Sequence, residues 1–216
     1  MDVLITGTSK GIGRATALKF LEEGHTVWGL DIDFSSIEQE RYTHFLCDVS
    51  VAETLPNLEN IDIVINNAGT QNDDLAIDVN LMGVINVTEK YAFQEHIQAV
   101  VNVASTSAHN GAEFPRYSAS KGGVLAYTKH TALQIAKYGA TCNSISPGGV
   151  TTSMNDHILS NPDLWSQVMD EVLIKKWATA EEIAEWIYFV AVTNKSMTAQ
   201  DIIIDNGELA NANFVW

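Results

Sequence analysis

Val3-Leu4-Ile5-Thr6-Gly7-Thr8-Ser9-Lys10-Gly11-Ile12-Gly13 decides the fold of this chain. A short apolar run meets a glycine-rich turn, and the turn opens a helix over residues 14–23. That helix carries Ile12, Ala15, Leu18 and Leu21, with Ala17 beside them, on one apolar stripe. Gly24 stops it. A second apolar run, residues 26–30, ends in Asp31. Strand, glycine turn, helix, strand and acid make the layout of a dinucleotide-binding βαβ unit. Glycines lack a Cβ, so the backbone can turn tightly and a diphosphate can approach it. The helix start offers unpaired N–H groups and the positive end of its dipole. Asp31 would accept hydrogen bonds from an adenosine ribose.

The rest of the chain extends this unit. Strands are expected over residues 43–47, 61–66, 99–104, 141–146 and 201–205, the second of them nearly all apolar, as suits a strand buried on both faces. Between them, long helices are expected over 74–98 and 116–138, the second closed by Gly139. A brief helix over 50–55 has Ser50 and Glu53 at capping-box spacing. A later helix over 179–192 has Thr179 and Glu182 at the same spacing. Residues 150–177 read as irregular, with one amphipathic piece near 164–173. Alternating strands and helices give an α/β fold. It is a doubly wound parallel sheet of about seven strands, Rossmann-type, with helices on both faces. The whole chain, 1–216, reads as one domain.

Composition narrows the function. Lys and Arg number 12 against 27 Asp and Glu, a net charge of -15. That balance argues against nucleic acid and anionic membrane surfaces as partners. No apolar run approaches the ~20 residues of a membrane span. The opening residues show no leader pattern, since Val3 already reads as strand. Cys47 and Cys142 read as buried structural thiols rather than a disulfide, a metal site or a nucleophile, so a cytoplasmic protein without a metal is expected.

Ligands in such sheets bind beyond the C-terminal strand ends. That edge gathers the glycine turn, Asp31, Asp48-Val49, Asn67-Ala68-Gly69, Ser105 and Pro147-Gly148. The chemistry sits in Tyr117-Ser118-Ala119-Ser120-Lys121. Positions i and i+4 share a helix face. A lysine ammonium beside a tyrosine hydroxyl favours the phenolate, typically by ~1–3 pKa units. Hydride transfer to a carbonyl needs such a proton donor, because the product is an alkoxide. Ser105, at the end of a strand, is placed to hold the carbonyl oxygen, with Thr106 and Ser107 as competing candidates.

Together, Thr6-Gly7-x-x-x-Gly11-x-Gly13, Asp48-Val49, Asn66-Asn67-Ala68-Gly69, Asn80, Ser105, Tyr117-x-x-x-Lys121, Asn143 and Pro147-Gly148 resemble the short-chain dehydrogenase/reductase family. The resemblance spans almost the whole chain. It implies Tyr117 as general acid/base, Lys121 as its activator and ribose ligand, and Ser105 as the residue orienting the substrate carbonyl. Asn80 would hold a water in a proton relay to Lys121. For the cofactor it implies Gly7, Ser9, Lys10, Gly11, Ile12 and Gly13 at the phosphates and Asp31 at the ribose. Asp48 and Val49 would flank the adenine, and Asn67, Ala68, Gly69, Pro147, Gly148, Val150 and Thr152 would line the remainder. NAD is favoured over NADP, because Asp31, reinforced by Asp33, would repel a 2′-phosphate; Lys10 pulls the other way. A homo-tetramer or homo-dimer and a small-molecule substrate follow from the same resemblance.

Local pieces are similar to subgroups of the family. Val103-Ala104-Ser105 with Ala108-His109, Cys142-Asn143 and Thr198-Ala199-Gln200-Asp201 resemble 2,3-dihydro-2,3-dihydroxybenzoate dehydrogenases. Ser9-Lys10-Gly11-Ile12-Gly13 resembles 3-oxoacyl-[acyl-carrier-protein] reductases. The expected reaction is therefore hydride transfer between a nicotinamide and a secondary alcohol or ketone, with a non-catalytic nucleotide-binding regulator as the rival class. Two departures from the family stand out. Only ten residues, 70–79, separate Gly69 from Asn80, and the stretch from Asp31 to Asp48 is also short. Residues 150–177 are expected to form the substrate lid.

Overall fold

The computed structural model describes residues 1–112 and 114–211; the last five residues of the expected domain lie outside the described residues. The chain opens with β1 (Asp2–Thr6). After the glycine turn come α1 (Gly11–Glu22) and β2 (Thr26–Asp31), then β3 (Tyr42–Leu46) and β4 (Ile63–Asn66). A π-helical turn, Ile77–Met82, runs into α2 (Gly83–Tyr91). β5 (Ala99–Val103), the short α3 (Ser107–Asn110), α4 (Pro115–Ile135) and β6 (Thr141–Pro147) follow. The chain continues through α5 (Asp156–Leu159), α6 (Pro162–Glu171), α7 (Ala180–Tyr188) and β7 (Asp201–Ile204). The seven strands form one parallel sheet in the order β3-β2-β1-β4-β5-β6-β7.

Strand alternation builds two cores. Val3, Ile5, Ile63 and Ile65 turn to one face, against Phe20 of α1 and Ile183 and Ile187 of α7. Leu4, Val64 and Val100 turn to the other, against Val87 and Tyr91 of α2 and Ile135 of α4. Burying each such side chain contributes about 1.5–3 kcal/mol, so the apolar runs are held as strands covered on both sides.

Some expectations need correction. The helix expected over 74–98 ends at Tyr91. Lys90 Nζ donates to the Leu55 carbonyl at 2.6 Å and Tyr91 Oη to that of Pro56 at 2.5 Å. Gln94 Nε2 then donates to the Ile61 carbonyl at 2.6 Å, so long-range bonds take the chain out of the helix. The capping box expected at Ser50 does not form. Both the amide and the hydroxyl of Ser50 donate to Asp48 Oδ1, at 2.9 and 2.7 Å, and only a tight turn, Ala52–Thr54, follows. The box at Thr179 does form: Glu182 N donates to Thr179 Oγ1 at 3.2 Å and Thr179 N to Glu182 Oε2 at 2.9 Å. α6 starts at Pro162, earlier than its apolar spacing implies, because Asn161 Oδ1 accepts from the amides of Asp163 and Leu164. Among the described residues, no helix is long and apolar enough to cross a membrane.

Candidate active site

The glycine turn is built by close contacts. Gly7 and Gly11 have φ of 76° and 57°, backbone that favours glycine. A Cβ at Gly13 would lie 2.1 Å from the Gly7 carbonyl oxygen, so this position fixes how tightly α1 approaches the turn. Thr6 Oγ1 accepts from the amides of Asn67 and Ala68, both at 2.9 Å. Asn67 Nδ2 donates back to the Thr6 carbonyl at 3.0 Å. The turns after β1 and β4 are thereby locked together.

At the end of β2, Asp31 is only 8% exposed. It accepts from Ser9 N at 2.8 Å and from Asp33 N at 2.9 Å. Lys10 pairs with Asp33 at 2.9 Å, and that hydrogen bond raises the lysine's pKa. Both partners are largely exposed, so the pair adds little stability. Its consequence is local: the cation that would have met a 2′-phosphate already has a carboxylate partner.

The other end of the cleft belongs to α4. Tyr117 and Lys121 sit one turn apart on it and both are buried. Lys121 Nζ donates to the Val103 carbonyl at 2.8 Å and lies 5.9 Å from the Tyr117 ring centre. Burial pulls its pKa down to about 8. Ser105 follows β5 directly, and its Oγ accepts from Ser107 N and donates to Ser107 Oγ, both at 3.2 Å. The rival Ser107 is therefore a partner of Ser105. Thr106 is buried, with its amide on the Pro147 carbonyl at 3.0 Å. The short α3, absent from the sequence expectation, carries this corner; His109 ties it to Asp201 at 2.8 Å.

Asn80 is fully buried in the π-helical turn. Its Oδ1 accepts from Thr70 N at 2.8 Å, and its Nδ2 donates to the Thr70 carbonyl at 3.0 Å and to Ser120 Oγ at 3.2 Å. A Cβ at Gly69 would lie 3.2 Å from Asn80 Oδ1 and 3.6 Å from Lys121 Nζ. Gly69, Asn80 and Lys121 thus converge.

These pieces line one cleft of about 980 Å³. Gly7, Lys10, Gly11, Ile12, Asp31, Asp48, Val49, Asn67, Ala68, Gly69, Ser105, Tyr117, Lys121, Pro147, Gly148, Val150 and Thr152 all face it. Three expected residues do not: Ser9 and Gly13 shape the turn, and Asn80 lies behind Gly69. The sequence reading missed several lining groups. Ile32 and Cys47 join the Asp31 end, and Ile158, Val172 and Trp177 close the other, beside Met154 and Val168 of the expected lid. Trp177 lies flat on Gly149, where a Cβ would come within 1.9 Å of its ring. No spacing signal marks that contact. The tight glycine cradle, a carboxylate at the end of β2 and a volume of this size fit a dinucleotide with a small second ligand. Among the described residues, no group of three or more His, Cys, Asp or Glu is arranged to hold a metal ion.

A family model described as enoyl-(acyl carrier protein) reductase matches residues 7–208. The chain belongs to the short-chain dehydrogenase/reductase family. As a member of the short-chain dehydrogenase/reductase family it is an NAD(P)-dependent oxidoreductase acting between CH–OH and carbonyl groups. It is 30% identical to 3-oxoacyl-[acyl-carrier-protein] reductase FabG of Thermotoga maritima, over 94% of this chain and 96% of the relative. It is 27% identical to 2-(R)-hydroxypropyl-CoM dehydrogenase of Xanthobacter autotrophicus, covering 87% and 90%. Among solved structures, a 4-hydroxyisoleucine dehydrogenase mutant complexed with NADH and succinate superposes with a TM-score of 0.90 at 28% identity, covering 99% and 100%.

Proposed function

We propose that this protein is an NAD(H)-dependent dehydrogenase/reductase that interconverts a small, uncharged secondary alcohol and its ketone. One observation carries the reading: Tyr117, Lys121 and Ser105 share one end of a cleft whose other end is Asp31. Bound nicotinamide would supply or accept the hydride. The chain's own residues handle the oxygen and its proton. In reduction the Tyr117 hydroxyl gives its proton to the carbonyl oxygen as the C–O double bond becomes single. Ser105 holds that oxygen by a hydrogen bond. The buried Lys121 ammonium steadies the phenolate left behind, since opposite charge counts for more where water is excluded. Asn80 backs this group as part of the proton path.

Asp31 supports NAD over NADP, because a 2′-phosphate would meet a buried carboxylate already beside Asp33. At the substrate end Leu75, Met154, Ile158, Val168, Val172 and Trp177 mix with uncharged polar groups such as Gln71, Asn72, Asn110 and Asn155, and the charged side chains there, Asp78, Glu171 and Glu208, are acidic. The lysines of the cleft are Lys10 and Lys121, at the glycine turn and on α4. Among the described residues, a carboxylate or a phosphate on the substrate would find no free counter-charge there, which supports an uncharged substrate. A 3-oxoacyl thioester is the second reading, favoured by the Thermotoga relative. Residues 150–177 act as the lid, with α6 as its helix. Exposed Leu75, Ile77, Met82 and Leu133 support a homo-dimer or homo-tetramer. Two buried thiols suit a cytoplasmic setting.

The test follows NADH and NADPH absorbance over a panel of ketones, cyclic diols and 3-oxoacyl thioesters, with Tyr117→Phe as control. Turnover with NADH on an uncharged ketone, lost in Tyr117→Phe while NADH still binds, is the expected result. Cofactor binding without turnover on any member would overturn the assignment to a small, uncharged ketone, leaving a substrate outside the panel or a nucleotide-binding regulator.

A further inference from the structure

The stretch between Gly69 and Asn80 is short, and the structure gives it a specific task. Among the described residues, α4, the helix of Tyr117 and Lys121, has no cap of its own. Phe114 at its N-cap position makes no side-chain cap bond, and its first turn contains no acid. Pro115, the first helical residue, has no N–H to satisfy. The next two amides, those of Arg116 and Tyr117, cannot reach an acceptor within the helix. Both donate to one atom, Asp73 Oδ1, at 2.8 and 3.1 Å. Ser118 N is the first to find a helical partner, the Phe114 carbonyl at 2.9 Å. The Arg116 guanidinium pairs with the neighbouring Asp74.

The segment that delivers Asp73 is itself held. Asn80 takes both the N–H and the C=O of Thr70 with its side-chain amide, and bonds Ser120 of α4 with the same Nδ2. The residues 70–80 therefore bridge the buried Asn80 and the open end of α4, touching that helix at Tyr117 and at Ser120.

We infer that Asp73 is a positioning residue for the reaction: it caps the catalytic helix from outside and fixes where the Tyr117 backbone, and so its hydroxyl, stands relative to Lys121 and Ser105. A longer segment here would have slack. The short loop, closed at its base by the Thr70–Asn80 bonds, presents the Asp73 carboxylate to α4. The negative charge also suits a helix N-terminus. The inference rests on the proposed oxidoreductase reading, because it concerns the aim of Tyr117.

The test compares wild type with Asp73→Ala and Asp73→Asn. Asparagine keeps an acceptor oxygen at the same place and loses the charge. In Asp73→Ala, kcat is expected to fall on the order of ten- to hundred-fold, the scale of a misaimed catalytic group, with KM for NADH within about two-fold. Asp73→Asn is expected to restore most of that kcat. Amide hydrogen exchange at Arg116 and Tyr117 reads the cap without any turnover: it speeds up in Asp73→Ala and stays near wild type in Asp73→Asn. A lower melting midpoint with unchanged kcat would make Asp73 a stability cap only and overturn the inference, as would unchanged exchange at both amides. Inactive wild type would sink the proposed function instead, and the exchange data would still decide whether Asp73 holds the helix.

Discussion

Replacing Lys121 by methionine should make the protein more stable at neutral pH and less stable in strong base. The folded pKa of Lys121 is about 8 against an ordinary 10.5, through burial. At roughly 1.4 kcal/mol per tenfold change, keeping that ammonium charged in the fold costs about 3 kcal/mol at pH 7. The sign follows from proton counts. Between pH 8 and 10.5 the unfolded chain holds the proton and the folded one has released it, so stability rises with pH across that window. Below it the full cost applies, and above it none does. Methionine of similar length removes the cost but leaves the Val103 carbonyl without its 2.8 Å donor, a loss of about 1 kcal/mol. The net gain at pH 7 is therefore about 2 kcal/mol, or roughly 4–8 °C in melting midpoint for a chain of this size. Urea unfolding of both proteins at pH 7, 8, 9, 10 and 11, without cofactor, gives the difference directly. The curves should converge above pH 8 and cross near 10. A methionine variant that is less stable at pH 7, with a difference that does not change with pH, would refute the reasoning.

Other perturbations follow from single contacts. Gly13→Ala would put a Cβ within 2.1 Å of the Gly7 carbonyl, so it should cost about 1–3 kcal/mol or more and weaken NADH binding; titration of cofactor fluorescence reads both turn and helix displacement. Asp31→Ser removes the carboxylate that receives the Ser9 and Asp33 amides, and the ratio of NADPH to NADH affinity should rise at least several-fold in a binding assay. Thr179→Ala breaks the capping box of α7, costing about 1 kcal/mol, which a melting curve would show as a drop of roughly 2–4 °C.

The parts of this molecule that the sequence displays are those made by neighbours in the chain. The glycine turn, Asp31 after β2, the Tyr117 and Lys121 pair and the Thr179 box all depend on residues within one or two turns. β1, β4 and β5 were legible because a strand covered on both faces is apolar along most of its length, whereas the equally buried β6 carries Asn143, Ser144 and Ser146. What was hidden depends on partners far away. The helix expected to reach residue 98 ends at Tyr91 because carbonyls of the loop at 55–61 capture Lys90, Tyr91 and Gln94. Asp73 meets Arg116 and Tyr117 across more than forty positions, with no local mark on it. Asn80 was legible as a site residue, but its grip on Thr70 and Ser120 needed the fold. Trp177 over Gly149 had no signal at all, since nothing in its neighbours sets which face of the cleft it covers.

The strand order also bears on synthesis. When residue 66 has emerged from a ribosome, the chain already contains β3, β2, β1 and β4, which are four adjacent strands of the finished sheet. Each later strand then joins at a single growing edge, in the order in which it is made: β5 beside β4, β6 beside β5, β7 beside β6. No newcomer has to be inserted between two strands already paired. The half of the cleft that reads the dinucleotide can therefore be assembled while the half that carries Tyr117 and Lys121 is still being translated, a lead on the order of several seconds at ordinary elongation rates.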